Sequence, residues 1–279
     1  MKYLLLYITF IILFINCSAQ ANKSSVRNKS VTDTLRLSQF FPGDFSLAEV
    51  DETENIYLLT ANFQLKKMNS AGDSIAVFND VRRYGKVSYV DVSNPLRTIV
   101  FYKNFSTILL LDRLLSLRTS LNLRKQQVFK VNAVTSSYDN NLWFFDEQDF
   151  KLKKTDEQGS VLLESIDLRT AIDDLPSPVF ITDKNNFVYL YDPAKGLYIF
   201  DHYAAFINKI PIIKWSSVNV SQNKLIGISE NMIHVYNLEN KLISTYKLPS
   251  GINNPESLRV INNKLYILTA AGLTVFRFP

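Results

Sequence analysis

The chain of 279 residues is 47% hydrophobic and 13% aromatic with 8 glycines, which excludes intrinsic disorder and a glycine-rich repeat protein. Its formal charge is +5, and Lys and Arg are scattered among acids rather than gathered into a stripe; a nucleic-acid partner is therefore not expected. Cys17 is the single cysteine and falls at the edge of the leading apolar segment, so the folded part has no disulfide and depends on core packing.

Residues 1–19 read as a secretory signal: Lys2, an apolar run over 3–15, then Cys17 and Ala19 as small residues ahead of Gln20. The run is shorter than the ~20 residues of a permanent membrane helix, so no integral span is expected after cleavage. Cys17 also follows the apolar run as a lipidated cysteine would, although Asn16 and Phe14 occupy positions where a lipidation signal favours other residues. Either reading exports the protein, to the periplasm or the outer membrane. Residues 20–32, rich in Asn, Lys and Ser, form a disordered lead-in, and residues 33–279 the folded domain.

Within that domain one unit recurs. A nearly continuous apolar run begins at Asn55, Arg97, Asn141, Phe187, Lys224 and Lys264, at intervals of 37 to 46 residues. Such a run fits a strand covered on both faces, because a strand solvated on one face alternates. An Asp- or Asn-rich turn precedes most of these runs, as at 51–55, 139–141, 183–186 and 262–263; these residues tolerate left-handed backbone and bond their own chain. A more alternating strand follows, as at 64–69, 150–155 and 232–237, then a polar turn and a closing strand, as at 74–78, 160–164 and 242–246. The leucine-rich stretch 108–123 could be an amphipathic helix, but its place in the repeat assigns it to a third and fourth strand. Residues 166–175 hold room for a helical turn between units.

Four strands per ~40 residues is the unit of a β-propeller blade. The sixth unit stops after 273–278 and lacks its fourth strand, while 33–40 is a spare strand-like run ahead of the first unit. An unpaired edge would invite aggregation. The expected fold is therefore all-β: a six-bladed propeller whose N-terminal strand completes the C-terminal blade. In this periodicity the chain resembles the broad NHL-like, six-bladed propeller group of secreted bacterial proteins, and its signal resembles those of Bacteroidota. The resemblance is architectural and implies no particular residue roles.

No catalytic or metal constellation stands out. His202 and His234, the two histidines, read as strand or hairpin residues, and a histidine metal site needs more ligands. No phosphate loop, nucleophile elbow or calcium loop is present, so neither a cofactor nor a metal is expected. Propellers bind at the rim made by the loops between second and third strands and by the blade-to-blade connections. On that rim Arg82, Arg83, Lys86, Lys103, Arg124 and Lys125 would share one sector, with Tyr84 and Trp215 nearby as exposed aromatic anchors and Asp192 on an inner loop. The expected function is a non-catalytic binding or scaffolding module of the bacterial envelope, monomeric, with an envelope protein or an anionic glycan as partner. The alternatives are a propeller enzyme, such as a lyase or lactone hydrolase using the rim acids Glu147, Asp149 and Asp192, and a glycan-binding module.

Overall fold

A computed structural model describes residues 35–277. The expected signal segment with Cys17, the expected lead-in, and residues 33–34 and 278–279 lie outside the described residues.

The described strands make six separate four-stranded antiparallel sheets. Blades 1 to 5 span residues 45–78, 89–122, 134–164, 180–210 and 216–247. Blade 6 takes three strands from residues 257–277 and its outer strand, Arg36–Pro42, from the start of the chain. Inner strands of successive blades contact one another around a ring, and that of blade 1 touches those of both blade 2 and blade 6. The all-β fold is a six-bladed β-propeller.

The outer strand of blade 6 runs antiparallel to Gly272–Arg277, with Arg36 opposite Arg277 and Phe41 opposite Leu273. The spare segment and the missing strand of the sequence thus meet. The stretch 108–123 forms strands Thr107–Asp112 and Leu117–Asn122 rather than a helix, and Leu168–Thr170 is one short helical turn.

The described residues form no single central core. Six buried clusters each fill the space between two neighbouring blades. Tyr57 and Leu59 of blade 1, for example, pack on Val100 and Leu109 of blade 2. Each second strand lies between two such clusters, and all of Arg97–Tyr102 and Leu142–Asp146 is buried. This sheathing on both faces explains the unbroken apolar runs.

The turns are built as their residue types dictate. Asn185 and Asn186, and Asn262 and Asn263, have φ between 46° and 68°, the paired left-handed geometry of a tight hairpin. Between third and fourth strands, Asn69, Asp112, Asp156, Asp201 and Asn237 each turn a side-chain oxygen back to the amide two residues on. Together these turns form the hairpin end of the ring. The opposite end, built from the second-to-third loops and the blade-to-blade connections, is the connection end.

Candidate functional site

At the connection end, blade 2 gathers the basic residues. The connection into blade 2 holds the single-turn helix Val81–Tyr84 with exposed Arg82, Arg83 and Lys86. Lys103 and the exposed Phe105 stand on the second-to-third loop of the same blade. Arg124 and Lys125 follow its outer strand. Arg124 donates to the Asn104 carbonyl at 2.9 Å, and the Phe105 ring faces Gly85, so the three segments adjoin. None of these six cations forms an ion pair with a carboxylate of the described residues, whereas Arg97, Lys130, Lys153, Lys154, Arg259 and Lys264 all do. Lys86 lies over the Phe63 ring and Arg83 over Tyr84. Asp80 precedes the short helix, and its backbone carbonyl accepts the first bonds of that turn.

Two expected aromatic anchors are not exposed. Tyr84 is 8% exposed, sits in the cluster between blades 1 and 2, and lies 5.1 Å from the Tyr102 ring. Its position pins the helix down, because an aromatic ring in a one-turn helix between two sheets finds more apolar surface inward than outward. Trp215 is 7% exposed, between blades 4 and 5, stacked on His234 at 5.4 Å. It belongs to a different sector from the basic residues. Its backbone N–H donates to the Tyr191 hydroxyl at 2.9 Å. Gly227 makes room for it, since a Cβ there would come within 2.7 Å of the indole.

The rim acids are committed to local bonds. Asp192 is buried and accepts the amides of Ser177 and Ala194, both at 2.8 Å. Glu147 is buried, paired with Lys130 at 2.9 Å, and accepts from Asn132 and from the Ser177 hydroxyl at 3.0 Å. Asp149 pairs with Lys153, which also donates to Asp146 at 2.8 Å. Among the described residues no three His, Cys, Asp or Glu side chains gather as metal ligands.

Sequence reasoning placed binding on the rim of the central channel and missed the residues that line the channel itself. At the hairpin end the ring encloses a cavity of about 360 Å³ lined by the inner strands and their turns. One position of the inner strand is polar in every blade: Glu49, Asp91, Thr135, Thr182, Asn219 and Arg259. The register proves them equivalent, because each stands opposite the third residue of its apolar run: Tyr57, Ile99, Trp143, Tyr189, Ile226 and Tyr266. All but Thr135 line the cavity. The available signal was a polar residue between two apolar ones shortly before an Asp or Asn turn: Ala48-Glu49-Val50, Val90-Asp91-Val92, Val218-Asn219-Val220 and Leu258-Arg259-Val260.

The electrostatics of this ring follow from enclosure. Arg259 clasps Glu49 with two nitrogens and also donates to the Leu258 carbonyl at 2.7 Å and the Ser217 hydroxyl at 3.2 Å. Burial raises the Glu49 carboxyl above its ordinary range, with Arg259 pulling the other way. Burial works against the Arg259 charge, but the Glu49 carboxylate together with Tyr89 and Asp91 outweighs it and holds the guanidinium above its usual value. Asp91 forms no ion pair among the described residues, though its charge also favours that of Arg259. Burial raises the Asp91 carboxyl, opposed by bonds from the Ser136 amide at 2.9 Å and the Ser93 hydroxyl at 2.9 Å. Tyr89 spans from blade 2 to the Ile181 carbonyl of blade 4, and burial raises its phenol too. At the mouth, Lys184 of blade 4 pairs with Glu52 of the opposite blade 1.

No protein-family model and no curated protein matches the chain. Solved structures do match in fold. A streptogramin B lyase aligns with 14% identity and a TM-score of 0.59, over 83% of this chain and 78% of that chain. The Neurospora crassa Pan2 WD40 domain aligns with 9% identity and a TM-score of 0.61, over 85% and 90%. The β-propeller domain of Cps50 (Swd1) from Myceliophteria thermophila aligns with 7% identity and a TM-score of 0.60, over 88% and 100%. The neighbours are β-propellers. At these identities the likeness is one of fold, shared by proteins of unrelated chemistry.

Proposed function

We propose that this chain is a non-catalytic binding propeller of the bacterial envelope that docks an acidic protein surface against the connection end of blade 2. The observation that carries the reading is the set of six exposed, unpaired cations, Arg82, Arg83, Lys86, Lys103, Arg124 and Lys125, beside the exposed Phe105. Exposed arginine and aromatic groups on a rigid frame suit an interface, and unpaired charge of one sign steers an oppositely charged partner. Export rests on the sequence of residues 1–19.

The lyase reading has less support. One solved virginiamycin B lyase is catalytically inactive through replacement of a single histidine by alanine. Here His202 stacks on Tyr138 and meets Asp183 at 3.2 Å, and His234 stacks on Trp215 and meets the Ser229 carbonyl at 3.2 Å. Neither lines the channel.

The test is retention on immobilised polyglutamate and on a sulfated polysaccharide across a salt gradient. The comparison is the native chain against a variant carrying Arg82→Glu, Arg83→Glu, Lys103→Glu and Lys125→Glu. Salt-dependent retention on polyglutamate that the variant loses supports an acidic protein partner. Preferential retention on the polysaccharide moves the reading to an anionic glycan. Equal elution of both proteins from both matrices removes the sector as an interface.

A further inference from the structure

The polar ring at the hairpin end is on the far side of the molecule from the basic sector, and its chemistry is different. Three of its groups point to a ligand. Asp91 Oδ1 receives a long contact, 3.4 Å, from the Ser93 amide, its other oxygen carries two good bonds, and the Thr135 hydroxyl stands near enough to favour the carboxylate. A carboxylate can accept about four hydrogen bonds, so Asp91 keeps acceptor capacity. Asn219 uses its oxygen weakly, toward the Val260 amide at 3.4 Å, and its side-chain nitrogen donates to no group of the described residues. The Thr182 hydroxyl, on the cavity wall, has no protein partner among them either. An acceptor, a donor and a group that is both thus face one enclosed space.

The character of that space narrows the ligand. At about 360 Å³ it falls within the size of small-molecule sites. Glu49 and Arg259 neutralise one another, as do Glu52 and Lys184, and Lys224 on the lining offsets Asp91, so the wall carries no net charge and favours a neutral ligand over an ion. The wall is too rich in unsatisfied polar groups for a hydrocarbon, because burying them against apolar surface forfeits their bonds with water. A molecule carrying several hydroxyls answers each of them, since every hydroxyl both donates and accepts. Tyr89 and Phe180, both on the lining, supply aromatic surface for its non-polar faces.

We infer that the hairpin end of the channel is a binding chamber for a small neutral polyhydroxylated molecule, a saccharide unit, held by Asp91, Thr182 and Asn219. Entry crosses the Lys184–Glu52 pair, half-buried at Lys184 and exposed at Glu52, 30% and 57%, and pairs this open to water hold weakly. The pair slows passage without contributing to the bound state.

The test is isothermal titration of the full chain with glucose, galactose, mannose, N-acetylglucosamine and their β-linked disaccharides. Thr182→Val and Asn219→Ala are titrated in parallel, with thermal melts to confirm that both fold, and Glu52→Ala is followed by stopped flow. At least one neutral sugar should bind and raise the melting temperature. Thr182→Val and Asn219→Ala should each weaken it about tenfold, and Glu52→Ala should speed association with the equilibrium constant nearly unchanged. The inference is overturned if no sugar of the panel binds at its solubility limit. It is equally overturned if a sugar binds both folded ring variants as tightly as the native chain.

Discussion

Arg259 and Glu49 are 210 residues apart in the chain and meet side chain to side chain where blade 6 faces blade 1. Both touch the channel, at 15% and 13% exposure, yet protein surrounds them. Removing one partner of such a pair leaves an uncompensated charge in a poorly solvated place. Glu49→Ala should therefore cost about 3–5 kcal/mol. The double replacement Glu49→Leu with Arg259→Met should recover most of that loss. Urea unfolding of the three proteins measures both, and a single variant as stable as the native chain would mean that channel water already solvates the pair.

The closing blade depends on Gly272. Its φ is +138°, and a Cβ there would come 2.2 Å from the Phe41 carbonyl oxygen. Gly272→Val combines backbone strain of about 1–3 kcal/mol with a steric block to the first strand. The amides of Arg36–Pro42 should lose hydrogen-exchange protection, and the bared edge should drive self-association visible by light scattering.

Trp215 acts in the structure as a wedge between blades 4 and 5. Trp215→Ala should destabilise by about 3–5 kcal/mol, and Gly227→Ala by about 1–3 kcal/mol through overpacking against the indole. Thermal melts check both. Retention on polyglutamate of whatever folds should be unchanged, because Trp215 lies outside the blade 2 sector.

Acidity should separate Asp91 from Asp139. Burial raises Asp91 above its ordinary 3.8, so between that value and the raised one the folded chain binds a proton more readily than the unfolded chain. Its contribution to stability falls as pH climbs through that window. For Asp139 burial pushes upward, but the bonds from Lys154, Ser137 and Asn141 together outweigh it and bring the carboxyl to about 2. Its contribution is present above 3.8 and is lost as pH falls toward 2. Melting temperatures of native, Asp91→Asn and Asp139→Asn proteins from pH 2 to 7 (the span set by these shifts) should diverge in opposite senses. Asp91→Asn gains on the native chain as pH rises, and Asp139→Asn loses.

The blades were readable because their signal is dense and periodic. Each second strand is buried on two faces, so Tyr57, Phe101, Phe144 and their neighbours had to be apolar almost without interruption. The closing strand was readable by elimination, since an unfinished last unit and an unused first segment complement each other. Exposure of single side chains was not readable. Tyr84 and Trp215 stand in connections, where composition alone suggests a surface, and only the spacing of neighbouring sheets turns them inward. The channel ring was hidden for another reason. Glu49, Asp91, Asn219 and Arg259 differ in charge and size, so the apolar–polar–apolar triplet around each is a faint signal; that all four hold one register position shows once the strands are paired.

The pairing of Arg36 with Arg277 places both ends of the described chain at one corner of one sheet. A load pulling those ends apart would bear on a single terminal bridge at a time, peeling Arg36–Pro42 away like a zip rather than shearing its whole row of bonds together. Heat must disrupt six inter-blade clusters at once, whereas tension between the termini needs to break only this seam.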